Sequence, residues 1–200
     1  MAQIILSLLF ISLMMLGFSG TVESSSGARM YLEAQCRTSI YRELCVETLL
    51  PYVTKNALGP QQLARVSLAV CLTKARQTKE YVDMVAKRFN KSDQAIEECL
   101  YQINNGVNQI TLSVKEFQQI GKDGEENFVL HEGNVQSWVS AGLTDVDMCI
   151  DGLLGDGFGG REKAMIKAKL LNVKQLASNS LSLFNRFASR HRASHIVKNP

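Results

Sequence analysis

The sequence predicts an all-α protein, folded as an antiparallel up-and-down four-helix bundle with an N-terminal helical hairpin arm. Four segments of about 25–30 residues carry apolar side chains spaced by three and four, the period of a buried helix face. Sustained period-two alternation, which is typical of a half-buried strand, is missing from the sequence. The 200 residues are 46% hydrophobic and 20% charged, which suits one folded core.

The hairpin arm is predicted over residues 28–55, with a break near residues 37–38 and an end at Pro51. The first long helix begins at Pro60, because proline suits the first turn of a helix. Its apolar stripe runs from Leu68 to Phe89, with charged residues on the opposite face.

Three further long helices complete the predicted bundle. The second begins near Ser92 and ends at Gly121, a residue type that commonly terminates helices. The third covers about residues 127–153, and the fourth about residues 162–190. A glycine-rich loop at residues 155–160 separates them. Residues 25–190 therefore form the predicted bundle domain.

The first 24 residues are predicted to be a signal peptide. Residues 4–18 are uncharged, too short to span a membrane, and followed by small residues that suit cleavage. A signal anchor is the alternative, because this segment lacks lysine and arginine. We expect a secreted protein with no membrane attachment after cleavage.

The net charge of +3 does not predict a nucleic-acid-binding protein. Residues 186–200 contain Arg186, Arg190, Arg192 and Lys198 and no acidic residue, which leaves −1 for the rest of the chain. We treat residues 191–200 as a basic C-terminal tail. Such a tail is suited to an anionic polymer, although a frayed terminus is the simpler and favoured explanation.

Secretion indicates that the cysteines form disulfides. The five are Cys36, Cys45, Cys71, Cys99 and Cys149, so two disulfides leave one thiol, and spacing alone leaves the pairing open. Cys71 lies in an apolar run and is the best candidate for a buried thiol. Without a C-x-x-C pair or suitably spaced histidines, we expect no metal site.

Motifs that carry chemistry are few, and each has a simpler structural explanation. The G-x-G-x-x-G pattern at residues 155–160 follows a predicted helix rather than a strand, so it is a loop rather than a nucleotide site. Cys71 and His131 suggest a thiol–imidazole pair, but core packing is the favoured explanation for Cys71. The acidic pairs suit solvated helix faces: Glu97–Glu98, Glu125–Glu126 and Asp145–Asp147. We therefore expect a binding protein with no catalytic residues and no cofactor.

Asn90 begins a glycosylation sequon in a predicted loop.

Two segments resemble the plant invertase and pectin methylesterase inhibitor family. Residues 36–45 resemble its opening pattern C-x-x-T-x-Y-x-x-x-C, with Tyr41 in the tyrosine place. Residues 138–152, WVSAGLTDVDMCIDG, resemble its W-x-SAALT-x-x-x-TC-x-DG block, with Met148 replacing threonine. Residues 75–78 resemble a further family segment. After Cys99 the chain departs from the family pattern, which has two carboxylates and a tyrosine there.

The resemblance implies a four-helix bundle with a hairpin arm, disulfides Cys36–Cys45 and Cys99–Cys149, and a free thiol at Cys71. It implies a secreted inhibitor, located in the apoplast or cell wall, that acts on pectin methylesterase or on acid invertase. The tryptophan block, the LSLF-x-RF ending of the last helix and the basic tail favour the esterase, and the tail also suggests contact with anionic pectin.

The inhibition that we expect is occlusion of the enzyme's substrate cleft in a non-covalent one-to-one complex. The expected contacts are exposed polar residues of the first two long helices: Lys74, Gln77, Tyr81, Asn105 and Gln109. A solvated helix face is the simpler explanation for each of them.

Overall fold

The computed structural model describes residues 26–53, 58–88, 94–122, 125–153 and 160–198. The predicted signal peptide at residues 1–24, the sequon at Asn90 and the glycine-rich residues 155–159 lie outside these ranges. Six α-helices occupy most of the described residues, which contain no strand. They are α1 (26–36), α2 (Arg42–Leu49), α3 (Pro60–Arg88), α4 (Gln94–Phe117), α5 (Phe128–Gly152) and α6 (Gly160–Lys198).

The four long helices form the predicted bundle. Helix α3 packs against α4 and α6, and α5 packs against the same two helices. The four helices are therefore arranged around the bundle in the order in which they occur in the sequence. Helices α1 and α2 form the hairpin arm, with a break at residues 37–41 and a short 3-10 turn at Leu50–Tyr52. The predicted fold class is confirmed. None of the described helices has the length and apolarity that a membrane crossing requires.

Local signals in the sequence explain most of the helix ends. Helix α3 begins at Pro60, as predicted. Helix α4 was predicted to end at Gly121 but ends at Phe117. The turn that follows contains Gly121 at φ 85°, a left-handed conformation that glycine adopts without a steric penalty. The end of α6 differs more: it was predicted near residue 190, but the helix continues to Lys198, because neither glycine nor proline interrupts residues 161–198. Most of the predicted tail is therefore helical.

Aromatic side chains from α4, α5 and α6 fill one end of the bundle core. Phe117 packs edge-on against Phe184, with ring centroids 4.9 Å apart, and stacks with Phe187. Phe128 stacks on the ring of His191 at 4.0 Å. His191 belongs to the predicted tail, so this part of the tail packs against the core.

Hydrogen bonds from α6 hold the hairpin arm. Arg186 Nη1 donates to the carbonyl oxygens of Ala34 and Gln35, at 2.8 and 2.7 Å, near the end of α1 where carbonyl groups lack partners within the helix. Asn179 Nδ2 donates to the Tyr41 carbonyl oxygen at 2.9 Å. The arm is therefore fixed to the last helix.

Two disulfides cross-link the chain with the pairing that the resemblance implies. Cys36–Cys45 joins the two helices of the arm, and Cys99–Cys149 joins α4 to α5. Cys71 is the one cysteine outside these pairs, and it is buried in α3.

Candidate functional site

Lys74 and Gln77 line a cleft between α3 and α6. Both side chains are exposed, and they share an open cleft of about 220 Å³ with Lys169 and Asn172 of α6. We call this the α3 cleft. It presents ammonium and amide groups to solvent from two helices whose backbones are fixed by the core.

Tyr81 lies one turn further along the same side of α3. Its ring is half-buried, and the Lys169 Nζ lies 4.9 Å from the ring centroid, a distance at which the cation is attracted to the aromatic face. Lys169 therefore links Tyr81 to the α3 cleft, and three of the five expected contact residues belong to one continuous surface.

Gln109 lies elsewhere, at the junction of α4 and α5, which we call the α4–α5 seam, and Asn105 precedes it on the same side of α4. Both are half-buried and one helical turn apart. The Gln109 Cβ packs next to Gly142 of α5, and its Oε1 is buried without a hydrogen-bond partner in the described part of the chain. The five residues thus fall into two groups, on different pairs of helices.

The seam also contains a half-buried carboxyl group, of which the Oδ2 atom is enclosed. Asp145 packs its Cβ against the position of Gly106, and burial raises the pKa of the Asp145 carboxyl. Two residues further along α5 and on a different face of it, Asp147 Oδ1 forms a 2.7 Å ion pair with Lys174 of α6.

The contribution of α6 to the α3 cleft was missed by sequence analysis. Lys169 and Asn172 are three residues apart on α6, so the spacing places them on one face, but only the fold shows that this face adjoins α3. The expected contacts were drawn from α3 and α4 alone.

The suggested thiol–imidazole pair does not form. Burial raises the pKa of the Cys71 thiol to about 12, which keeps it protonated, and its Sγ lies 4.0 Å from the Val173 carbonyl oxygen. His131 Nδ1 instead hydrogen-bonds Glu116 Oε1 at 2.8 Å. Cys71 is therefore a packing residue.

The Glu116 carboxylate joins α4 to α5. Asn134 Nδ2 donates to Glu116 Oε1 at 2.7 Å, on the same oxygen that His131 contacts. The hydrogen bonds from Asn134 and then from His131 lower the pKa of Glu116, because they stabilise its charged form. The cluster therefore favours an ionised Glu116 at the α4–α5 contact.

The basic residues near the C-terminus have separate roles. Arg192 is paired with Glu132 of α5, whose side chain is only 8% exposed, so this cation neutralises a buried carboxylate. Arg186 anchors the arm, as described above. Arg192 and Arg186 are therefore integral parts of the fold.

The described residues contain no group of three or more histidine, cysteine or acidic side chains placed to hold a metal ion. What they present is a disulfide-linked bundle with a buried thiol and polar helix faces fixed by the core. Polar side chains held on rigid helix faces are suited to contact with the surface of a partner.

The chain belongs to the plant invertase/pectin methylesterase inhibitor family, whose model matches residues 31–183. It is 34% identical to "Pectinesterase inhibitor 9" of Arabidopsis thaliana over 188 residues, covering 91% of this chain and 92% of that protein. It is 32% identical to "Pectinesterase inhibitor 11" of the same plant, covering 84% and 85%. The "21 kDa protein" of Daucus carota is 30% identical, covering 84% and 89%.

Solved structures show the same fold. A mutant form of a pectin methylesterase inhibitor from Arabidopsis superposes with a TM-score of 0.59 at 16% identity, covering 77% of this chain and 95% of that one. At this identity the likeness concerns the fold.

Proposed function

We propose that this protein inhibits a pectin methylesterase by covering its substrate cleft in a non-covalent one-to-one complex. The observation that carries the proposal is the match, over nearly the whole length of both chains, to two relatives named pectinesterase inhibitors. A non-covalent mode agrees with the state of the cysteines, because four are in disulfides and the fifth is a buried, protonated thiol.

The α3 cleft is the proposed centre of the enzyme contact. Lys74 and Gln77 are exposed, and Tyr81 with Lys169 extends the same surface by one turn. A rigid surface of this kind loses little conformational entropy on binding, because the helices are already ordered. Asn105 and Gln109 would form a second contact at the α4–α5 seam, where Gln109 must first rotate its buried oxygen outward.

The protein is proposed to act outside the cell, in the apoplast or cell wall, after removal of the signal peptide. This location follows from the predicted signal peptide at residues 1–24 and agrees with the disulfides, which persist in oxidising compartments. Asn90 would then be open to glycosylation.

The test is an activity assay of the purified protein against a plant pectin methylesterase and, in parallel, an acid invertase. We expect stoichiometric inhibition of the esterase, competition with pectin, and no effect on invertase. Inhibition of invertase alone would replace the proposed target with the other enzyme in the family description.

A matched pair of substitutions tests the contact surface. Gln77→Glu should weaken esterase binding at least tenfold, which corresponds to about 1.4 kcal/mol. Gln118→Glu makes the same change at an exposed position beyond the end of α4 and should leave binding unchanged. Equal affinities for the two variants would exclude the α3 cleft as the contact centre. Asn105→Asp, compared with the exposed Asn108→Asp, tests the seam in the same way.

A further inference from the structure

An open groove of about 650 Å³ runs between the arm and α6. Its cations are Arg37 from the arm and Arg186 and Arg190 from α6, and its lining contains no acidic residue. We call it the arginine groove. Its volume falls within the range of about 300–1,000 Å³ that is usual for small-molecule sites.

The three guanidinium groups are close enough to repel one another. Burial, then the charges of Arg190 and Arg37, lowers the pKa of Arg186, so positive charge is concentrated in the groove. None of the three forms an ion pair with a carboxylate in the part of the chain that the structure describes. The nearby acids of the arm, Glu33 and Glu43, are both paired with Arg29.

The fold holds one of these three cations in place. Arg186 keeps its position by donating to two carbonyl oxygens of α1. Thr38 and Ser182 meet across the groove with their hydroxyl oxygens 3.4 Å apart. Positive charges placed this close together are electrostatically unfavourable in the free protein, and a bound anion relieves this repulsion.

The rest of the lining suits a sugar. Thr38, Ser182 and Asn185 offer hydroxyl and amide groups, while Leu181 and the 78% exposed Ile40 offer apolar surface. A uronic acid ring presents the same mixture of hydroxyls, an apolar face and a carboxylate, and arginine pairs with carboxylates through two parallel hydrogen bonds.

We propose that the arginine groove binds a linear oligomer of uronic acid with free carboxylates. Only the choice of a pectic uronate, the product of the esterase reaction, rests on the proposed function. The groove lies between the arm and α6, whereas the α3 cleft lies between α3 and α6 and shares none of its lining residues. Binding would hold the inhibitor on pectin that has already lost methyl groups, where the esterase is working.

The pectin contact that was expected in the tail would then lie in the arginine groove. Arg192 is ion-paired with Glu132, and His191 packs on Phe128. Deleting residues 188–200 would therefore damage the fold as well as any binding site. Point substitutions in the groove therefore give the cleaner test.

The experiment is calorimetric titration of the purified protein, without esterase, with an oligomer of unesterified galacturonate. The double variant Arg37→Gln/Arg190→Gln should bind at least tenfold more weakly, with a shallower dependence on salt. Arg76→Gln/Arg161→Gln removes the same charge at exposed positions outside the groove and should bind normally. Arg186 is left intact because it supports the arm.

Three outcomes would overturn the proposal: equal binding by both double variants, equal binding of the fully methyl-esterified oligomer, or equal binding of a sulfated oligosaccharide. Circular dichroism should show the same melting temperature for the two double variants, which excludes unfolding as the cause of lost binding. Esterase inhibition should be normal in both double variants. Loss of uronate binding and loss of esterase inhibition can therefore be told apart.

Discussion

Replacing Gly142 with alanine tests how closely α4 and α5 approach each other. An added Cβ would lie 3.0 Å from Ile110 Cγ1 and 3.3 Å from the Gly106 carbonyl oxygen. Ile110 is fully buried and Gly106 meets the new methyl with its backbone, so neither neighbour can easily move away.

Two opposing terms set the magnitude. Alanine is favoured over glycine in a helix interior by about 1 kcal/mol. Overpacking a filled core costs about 1–3 kcal/mol, and the two short contacts place Gly142→Ala in the middle of that range. We expect a net loss of about 1 kcal/mol, which lowers the melting temperature by roughly 2–4 °C in a domain of this size.

Gly133 provides a control in the same helix. It is exposed, and an added Cβ would have no atom within 4 Å, so Gly133→Ala should stabilise the protein by about 0.5–1 kcal/mol. Gly106→Ala, whose nearest contacts are ordinary at 3.4 Å, should fall between the two. Urea denaturation followed by far-ultraviolet circular dichroism gives all three values. If Gly142→Ala stabilises as much as Gly133→Ala, the close α4–α5 approach is refuted.

Three further predictions concern the disulfides, the thiol and acid stability. The Cys99–Cys149 bond closes a separation of 50 residues, and its loss should lower the free energy of unfolding by about 4 kcal/mol by the chain-entropy relation. Urea denaturation of Cys99→Ala/Cys149→Ala tests this, and a midpoint equal to that of the parent protein would contradict it. Cys71 should react with iodoacetamide only in denaturant, because the native thiol is buried and has a pKa of about 12. Mass spectrometry counts the labelled thiols, and rapid labelling of the native protein would disprove the burial of Cys71. Since the pKa of Glu116 is lower in the folded state than its ordinary value of 4.5, its contribution to stability is complete above that pH and is lost as pH falls through the folded value. Asn134→Ala should therefore reduce the acid dependence of the melting temperature, and an unchanged pH profile would exclude this hydrogen bond as its cause.

Helix periodicity was sufficient to predict most of the architecture. The start of α3 at Pro60 and the turn at Gly121 follow from residues whose backbone preferences are strong and local. The end of α6 was predicted too early because a cluster of arginines was taken for a tail, whereas helix formation depends on the absence of breakers and on packing of His191 against Phe128.

The candidate surfaces were harder to predict, because they depend on which helices become neighbours. Lys74 and Gln77 were identified from their exposed positions, but Lys169 is about 90 residues away in the sequence and reaches them only through the α3–α6 contact. The arginine groove is more distant still, since Arg37 and Arg190 come from opposite ends of the described chain.

The attachment of the arm to α6 has a consequence for the order of folding. During synthesis the arm leaves the ribosome long before Asn179 and Arg186 exist, and these residues contact it across 138 to 152 positions of sequence. The Cys36–Cys45 bond spans only nine positions, so the hairpin can close on its own before the rest of the chain has folded. Docking of the closed hairpin must then await the last helix. It is therefore a step of high contact order that comes after nearly all of the chain has been synthesised.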